Sequence, residues 1–341
     1  MTFKGMLLAI ETSCDDTAVA LYHNCQLVGH LVSSQPIHTQ YGGVIPEFAA
    51  RAHLEALPTI TEALLKQFGT TWTELDAVAV TAGPGLIGSL AVGISYAKGI
   101  ALAYDIPLIG VDHLYAHVMA HFIEPPYPSF PFLNLLVSGG HTQLMLFDDP
   151  LTYRIIGTTR DDAVGEAFDK AAAMMELKYP GGPEIDRLAQ QGNPHAFHLP
   201  VAQMPGFDFS YSGLKTALKY LLRDHPAAAH QQQADIAASF QEAALKPLIE
   251  NLQRAARKFQ IQQIGIAGGV AANRRLRQWL YQIAKTEKWD LFIPAFEYCT
   301  DNAAMVGQAA IFLHHAGRTA SLELKPYSRT YQNPQYHSYQ S

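Results

Sequence analysis

Leu7-Leu8-Ala9-Ile10-Glu11 runs into Thr12-Ser13-Cys14-Asp15-Asp16 and then Thr17-Ala18-Val19-Ala20-Leu21-Tyr22. The first stretch reads as a buried strand, the second as a tight turn and the third as another strand. Gln26–Ser33 is a further strand, with His23-Asn24 between. Pro46 suits a first helical position, and Phe48, Ala52, Leu57, Ile60, Leu64 and Phe68 then recur at helical spacing. Pro58 is expected to kink or restart that helix. Asp76–Thr81 reads as a buried strand that runs into Gly83-Pro84-Gly85-Leu86-Ile87-Gly88-Ser89 and a helix through Ala101. Pro107–Val111 is one more short strand.

The same order returns further on. Phe132–Ser138, Thr142–Phe147 and Tyr153–Thr158 read as three strands, with Gly139-Gly140-His141 as a turn. Helices are expected at Glu166–Leu177, Glu184–Gln191 and from about Ala234 to Lys258. Gln263–Ala267 is then a buried strand, Gly268-Gly269 a turn and Ala272–Ala284 a helix. Leu291–Pro294 and Asp301–His315 close the pattern as strand and helix. The duplication is one of pattern and not of residues. It predicts an α/β chain of two lobes facing a cleft, the actin-like arrangement also seen in sugar kinases and heat-shock-protein ATPases. The expected division is an N-terminal lobe over 1–111, completed by a C-terminal helix at about 305–325. A metal-binding helix and connection follow over 112–130, then a second lobe over 131–304 and an irregular tail over 326–341.

Composition sets the bounds. The chain has 341 residues, 48% hydrophobic and 16% charged, enough for about two folded domains. The net charge of −6 means that any grip on a polyanion must come from a local patch or a second protein. Arg254–Lys258 and Arg274–Arg277 are basic clusters whose plain reading is a solvated helix face. Cys14, Cys25 and Cys299 form no CxxC, which points to a reducing compartment. No signal peptide, transit peptide or membrane span is legible, so the cytoplasm is the expected location.

Glycine turns at Gly83–Gly88, Gly139-Gly140, Gly181-Gly182 and Gly268-Gly269 could cradle phosphate with backbone N–H groups. The chain lacks both GxxxxGK[ST] and a GxGxxG opening a βαβ unit, which disfavours Walker and Rossmann folds. Asp15 and Asp16 follow the first strand, where a ligand-facing carboxylate belongs in an α/β fold. Asp169 and Asp186 flank Gly181-Gly182 and could grip a ribose or adenine edge.

The most specific feature is Val111-Asp112-His113-Leu114-Tyr115-Ala116-His117-Val118-Met119-Ala120-His121. It puts three histidines at successive i,i+4 steps on one helix face. His113 and His121 would be about 12 Å apart at about 1.5 Å rise per residue, so one metal takes only two of them. Spacing leaves the 113/117 and 117/121 pairs both open. Leu114 and Val118 stand where a zinc protease would carry the glutamate of HExxH, which disfavours hydrolysis. Asp301, in Cys299-Thr300-Asp301-Asn302, could complete a 2-His-1-carboxylate set.

Taken together, eleven stretches resemble one family in order along the chain: Ile10–Thr17, Gly42–Glu47, Ala49–His53, Gly83–Leu86, His113–His117, Val137–Thr142, Gly165–Lys170, Tyr179–Pro183, Phe209–Lys215, Gly268–Asn273 and Cys299–Asn302. This is the TsaD type of the universal tRNA threonylcarbamoyladenosine synthesis family, once labelled O-sialoglycoprotein endopeptidases, in its bacterial form. The resemblance implies transfer of a threonylcarbamoyl group from threonylcarbamoyl-AMP to N6 of the adenosine 3′ of the anticodon, in tRNAs reading codons that begin with A. It implies an actin-like fold with one divalent metal per subunit, iron (Fe2+) ahead of zinc, held by His113, His117 and Asp301. Leu136, Val137, Ser138, Gly139, Gly140, Asp169, Gly182, Asp186 and Asn273 would contact the adenylate and acyl group, and ATP, ADP or AMP are related ligands. A TsaB-like paralogue and a TsaE-like ATPase would be its partners, with no membrane involved. Asp15 and Asp16 are candidates for catalysis, although many relatives carry glutamate where Asp16 stands. His121 matches nothing in the family pattern. The competing expectations are an actin-like ATPase or phosphotransferase, a metalloprotease as in the old label, and a scaffold with a structural metal.

Overall fold

The computed structural model describes residues 3–226 and 231–329, and they divide into two compact units. The first draws on residues up to Tyr127, on Pro150–Thr152 and on Pro294 onward; the second is Pro128–Asp149 with Tyr153–Ile293.

The first unit is built on β1 (Met6–Glu11), β2 (Asp16–His23), β3 (Gln26–Ser34), α1 (Pro46–Gln67), β4 (Leu75–Gly83), α2 (Ile87–Tyr104), β5 (Leu108–Asp112) and α3 (His113–Met119). Its sheet has the order β3-β2-β1-β4-β5. β1 is antiparallel to β2 and parallel to β4, and β4 is parallel to β5. Leu7–Ile10 are all fully buried, which is why they show an unbroken apolar run instead of an alternation. β3 lies at the sheet edge and alternates between exposed and half-buried positions. α2 is long and apolar enough to cross a membrane by length and composition. Here Leu90, Ile94, Ala97 and Ala101 of that helix join the core cluster with Leu8, Ile10, Val78 and Val80.

The second unit contains β6 (Phe132–Val137), β7 (Thr142–Asp149), β8 (Thr152–Thr158, whose first residue groups with the first unit), α4 (Val164–Met174), α5 (Gly181–Ala189), α6 (Ser212–Asp224), α7 (Gln233–Phe259), β9 (Gln263–Ala267), α8 (Arg274–Glu287) and β10 (Asp290–Phe292). Its sheet order is β10-β9-β6-β7-β8. Counted from its own first strand, this is the order of the first sheet. α9 (Phe296–Cys299) and α10 (Ala303–His315) then return to the first unit. Every residue of α10 from Ala303 to Leu313 is buried, and the Tyr22 hydroxyl donates to the Ala304 carbonyl at 2.8 Å.

Several details differ from the sequence-based expectation. α1 runs unbroken through Pro58. Pro58 and Leu54 are both exposed, so the carbonyl that loses its partner can be hydrated. The histidine helix is regular only over His113–Met119 and tightens into a 3-10 turn at Ala120–Phe122, ahead of Pro125-Pro126. α6 is absent from the expected pattern, because only Leu214 and Leu218 of its residues are buried. The units divide at 127/128 and 293/294. Residues from 294 bond within the first unit, with the Tyr298 hydroxyl 3.3 Å from Glu124 Oε1 and Glu297 Oε2 3.1 Å from His30 Nε2. Of the expected tail, Pro326–Arg329 have no regular secondary structure, and residues 330–341 lie outside the described residues.

Gly307 lets α10 lie close on the sheet. A Cβ there would meet the Tyr22 ring at 2.5 Å and the Ala9 Cβ at 3.2 Å. Alanine gains about 1 kcal/mol in helix propensity, but forcing a methyl into this contact costs about 1–3 kcal/mol. Gly307→Ala is therefore expected to lower the stability read in urea unfolding. An unchanged or raised midpoint would contradict the packing argument.

Candidate functional site

The site begins where β5 hands the chain to α3. Asp112 caps that helix, its Oδ1 accepting from Leu114 N at 2.9 Å and Tyr115 N at 3.0 Å. His113 is the first helical residue and His117 follows one turn on, their ring centroids 4.6 Å apart. Asp301 stands just before Asn302, the N-cap of α10. Its Oδ1 lies 3.5 Å from His113 Nε2 and 3.2 Å from His117 Nε2. One ligand atom from each of the three side chains lies within 4.8 Å of the others. Ligand atoms about 3.4 Å apart suit a tetrahedral set with bonds of about 2.1 Å. The histidines are buried and the carboxylate is half-buried. His117 Nε2 is shut away from water and faces Asp301 Oδ1, as befits a nitrogen that donates its lone pair to a cation. Two imidazoles and one carboxylate leave further coordination positions for a substrate. His121 is buried in the 3-10 turn and stands outside this group.

Sequence reasoning missed the residue behind His113. Glu11 ends β1 and is fully buried. Its Oε1 accepts from Ser13 N at 2.5 Å, and its Oε2 accepts from the Thr81 hydroxyl at 2.6 Å. The same Oε2 is 3.2 Å from His113 Nδ1, and Ser13 Oγ is also 3.2 Å from that nitrogen. An Nδ1–H held by the carboxylate leaves Nε2 facing Asp301, the arrangement that orients a metal-binding imidazole. The signal was present: a lone charge ending an otherwise apolar buried strand needs a partner.

The electrostatics follow from this burial. Burial opposes charge on His113, but Asp301 and Glu11 outweigh it and push the imidazole up to about 9. Burial likewise opposes ionisation of Glu11, and His113 overrides it, so the carboxyl sits below its ordinary range. Burial holds His117 below the ordinary histidine value. Asp16 is pushed up to about 6 by burial, against a hydrogen bond from Ser34 and with Asp301, Asp15 and Glu11 adding to the rise. The turn carrying Asp15 and Asp16 is pinned by buried His53. Its Nε2–H donates to the Cys14 carbonyl at 2.9 Å, which leaves Nδ1 to accept from the Thr17 hydroxyl at 2.7 Å.

The other expected residues belong to the second unit. Leu136 and Val137 end β6, Ser138 is half-buried, and Gly139 and Gly140 are exposed in the turn that follows. Ser138 and Gly139 accept from Gly165 N at 3.3 Å and Glu166 N at 3.1 Å, which ties this turn to the start of α4. Asp169 Oδ1 accepts from Gly181 N at 2.8 Å, ahead of Gly182, and burial raises its carboxyl above the usual range. Asp186 is also raised by burial, with Arg274 opposing; its Oδ1 is buried without a hydrogen-bond partner among the described residues. Asn273 caps α8 through Leu276 N at 2.9 Å, while its amide donates to Gln241 Oε1 at 2.8 Å. A Cβ at Gly268 would press on the Val137 carbonyl, so the turn after β9 touches the end of β6. All nine expected residues therefore lie on four adjoining segments of one unit.

Replacing Glu11 by glutamine keeps the side-chain size and removes the charge behind His113. Glu11→Gln is expected to weaken metal binding about 10–100-fold in chelator competition, and wild-type affinity would refute the role. Because His113 carries its proton up to about pH 9 in the metal-free protein, binding a metal must release it. Apparent metal affinity should thus rise as pH is raised from 6 toward 9, by about tenfold per unit for one released proton. Titration at fixed chelator strength reads this directly, and a flat profile would exclude it.

The family model for tRNA N6-adenosine threonylcarbamoyltransferase matches residues 26–308. The enzyme of that name from Cytophaga hutchinsonii is 47% identical over 328 residues, covering 95% of this chain and 95% of its own. Its counterpart from Nostoc punctiforme is 46% identical over 332 residues, again covering 95% of each. Among solved structures, full-length HypF in its phosphate- and nucleotide-bound form aligns with a TM-score of 0.62 at 14% identity, over 93% of this chain and 47% of that one. Component A of (R)-2-hydroxyglutaryl-CoA dehydratase from Acidaminococcus fermentans aligns with a TM-score of 0.55 at 14% identity, over 92% and 100%. At such identity these structures speak for the fold alone, which is actin-like. With relatives this similar along nearly their whole length, the chain belongs to the tRNA N6-adenosine threonylcarbamoyltransferase family.

Proposed function

We propose that this chain transfers a threonylcarbamoyl group from threonylcarbamoyl-AMP to N6 of the adenosine 3′ of the anticodon, in tRNAs reading codons that begin with A. The convergence of His113, His117 and Asp301 on one point is the observation that carries this reading beyond family membership. The donor set suits Fe2+ with open positions, and zinc would also be accepted by it. When bound, the metal supplies a Lewis acid that anchors the threonyl end and polarises the carbamoyl carbonyl.

The remaining work falls to side chains and backbone. The exposed Gly139-Gly140 turn offers N–H groups to the phosphate, and Asp169, Gly182, Asp186 and Asn273 frame the nucleoside. In the transfer, N6 of adenosine forms a bond to the carbamoyl carbon while the carbon–oxygen bond to the phosphate breaks and AMP leaves. N6 gives up a proton, and Asp15 is the residue assigned to take it, with Asp16 beside it. Because Asp16 is raised to about 6, it stays largely ionised at neutral pH and still binds protons near it.

Partners complete the reading. Arg275 pairs with Glu242 at 2.8 Å and Arg257 with Glu287, so part of the basic clusters is already neutralised. A net charge of −6 adds to the case for a second protein that helps to hold tRNA. A TsaB-like paralogue and a TsaE-like ATPase fill these roles, in the cytoplasm. An apolar groove between α1 and α2, lined by Leu54, Leu57, Pro58, Ala91 and Tyr96, offers a surface for such a partner.

Reconstitution tests this. Purified chain, partners, threonylcarbamoyl-AMP and tRNA should yield the modified nucleoside by nucleoside analysis. His113→Ala should abolish it, and Asp15→Asn should bind the adenylate yet slow single-turnover transfer by about 100-fold or more. Product formation by His113→Ala at the wild-type rate would remove the metal from the reaction, and an unslowed Asp15→Asn would remove the base.

A further inference from the structure

The segment after α10 is bound along the edge of the first sheet. β5 is the last strand of that sheet. Ala320 N donates to the Leu108 carbonyl at 2.7 Å and forms an isolated antiparallel bridge with it. Leu324 covers Gly110, where a Cβ would come within 2.9 Å of its side chain. Tyr327 then turns into the core, only 7% exposed, and its N–H donates to the Ala82 carbonyl at 3.1 Å. Its own carbonyl oxygen sits against Gly83, whose φ of +146° and lack of room both require glycine. The Tyr327 hydroxyl donates to Asp112 Oδ2 at 2.8 Å.

Asp112 therefore uses its two oxygens for two tasks. Oδ1 caps the first turn of α3, and Oδ2 is held by a buried tyrosine whose backbone is bonded to Ala82 and packed on Gly83. A capping carboxylate that cannot rotate fixes the direction in which α3 leaves β5, and His113 is the next residue. We propose that Tyr327 is a positioning residue for the metal centre: its hydroxyl locks the Asp112 cap and so aims the His113 imidazole. The inference rests on the reading of His113, His117 and Asp301 as metal ligands. It gives the segment after α10 a task at the site besides covering a sheet edge.

The test uses the full chain stripped of metal by a chelator, with Co2+ as the probe. Tyr327→Phe removes only the hydroxyl. It should leave the melting temperature nearly unchanged, lower Co2+ affinity about three- to tenfold and alter the visible bands of the bound ion. Leu324→Ala loosens the same segment without touching the hydroxyl, and should lower the melting temperature while leaving Co2+ affinity and bands as in the wild type. Wild-type affinity and bands in Tyr327→Phe would overturn the proposal. So would an equal loss of affinity in Leu324→Ala, which would mark the segment as merely structural. Failure of the wild-type chain to bind Co2+, or binding that survives His113→Ala, would remove the metal reading itself and the proposal with it.

Discussion

A carboxylate with no access to water needs a partner, and Glu11 finds it in His113. Leaving either charge buried alone would cost about 3–5 kcal/mol. The pair can form only if β1, β4 and β5 run side by side and end on the same edge, because Glu11 closes β1, Thr81 lies near the end of β4 and His113 follows β5. Parallel strands in that order deliver this. The strand order and the position of the histidine helix are two sides of one electrostatic constraint. The Asp15–Asp16 turn follows Glu11 directly and is fixed by the same pair through Ser13.

The second unit applies the same topology to different chemistry. β6 and β9 are parallel neighbours, and their carboxyl ends lead into Ser138-Gly139-Gly140 and Gly268–Asn273. Ligands in open α/β sheets gather at such ends. One unit presents imidazole and carboxylate there, and the other presents backbone N–H groups with the carboxylates of Asp169 and Asp186. A repeated frame thus carries two kinds of recognition, which explains why the repeat shows in element order and not in residues.

Much of this was legible in the sequence, for reasons that differ by residue. The central strands stand out because burial on both faces leaves an uninterrupted apolar run, as in Leu7–Ile10 and Ala77–Val80. The histidine spacing revealed a shared face but could not choose between pairs. The choice depends on α3 ending at Met119 and on where Asp301 arrives. Glu11 was unassigned because its partners Thr81 and His113 are far along the chain. α6 was missed because two buried leucines make too faint a helical stripe. Tyr327 falls in the stretch expected to be an irregular tail, since nothing local marks a tyrosine whose hydroxyl reaches a helix cap.

The return of the chain to its first unit has a consequence for synthesis. α10 and Asp301 belong to the same compact body as β1, yet the whole second unit is translated between them. A nascent chain emerges from its N-terminus and folds domain by domain. When His113 and His117 leave the ribosome, the carboxylate that completes their set has not been made, and the face of the sheet awaiting α10 is still bare. Assembly of the His113–His117–Asp301 group is thereby deferred to the last stage of biogenesis, and chains broken off before residue 301 cannot form it.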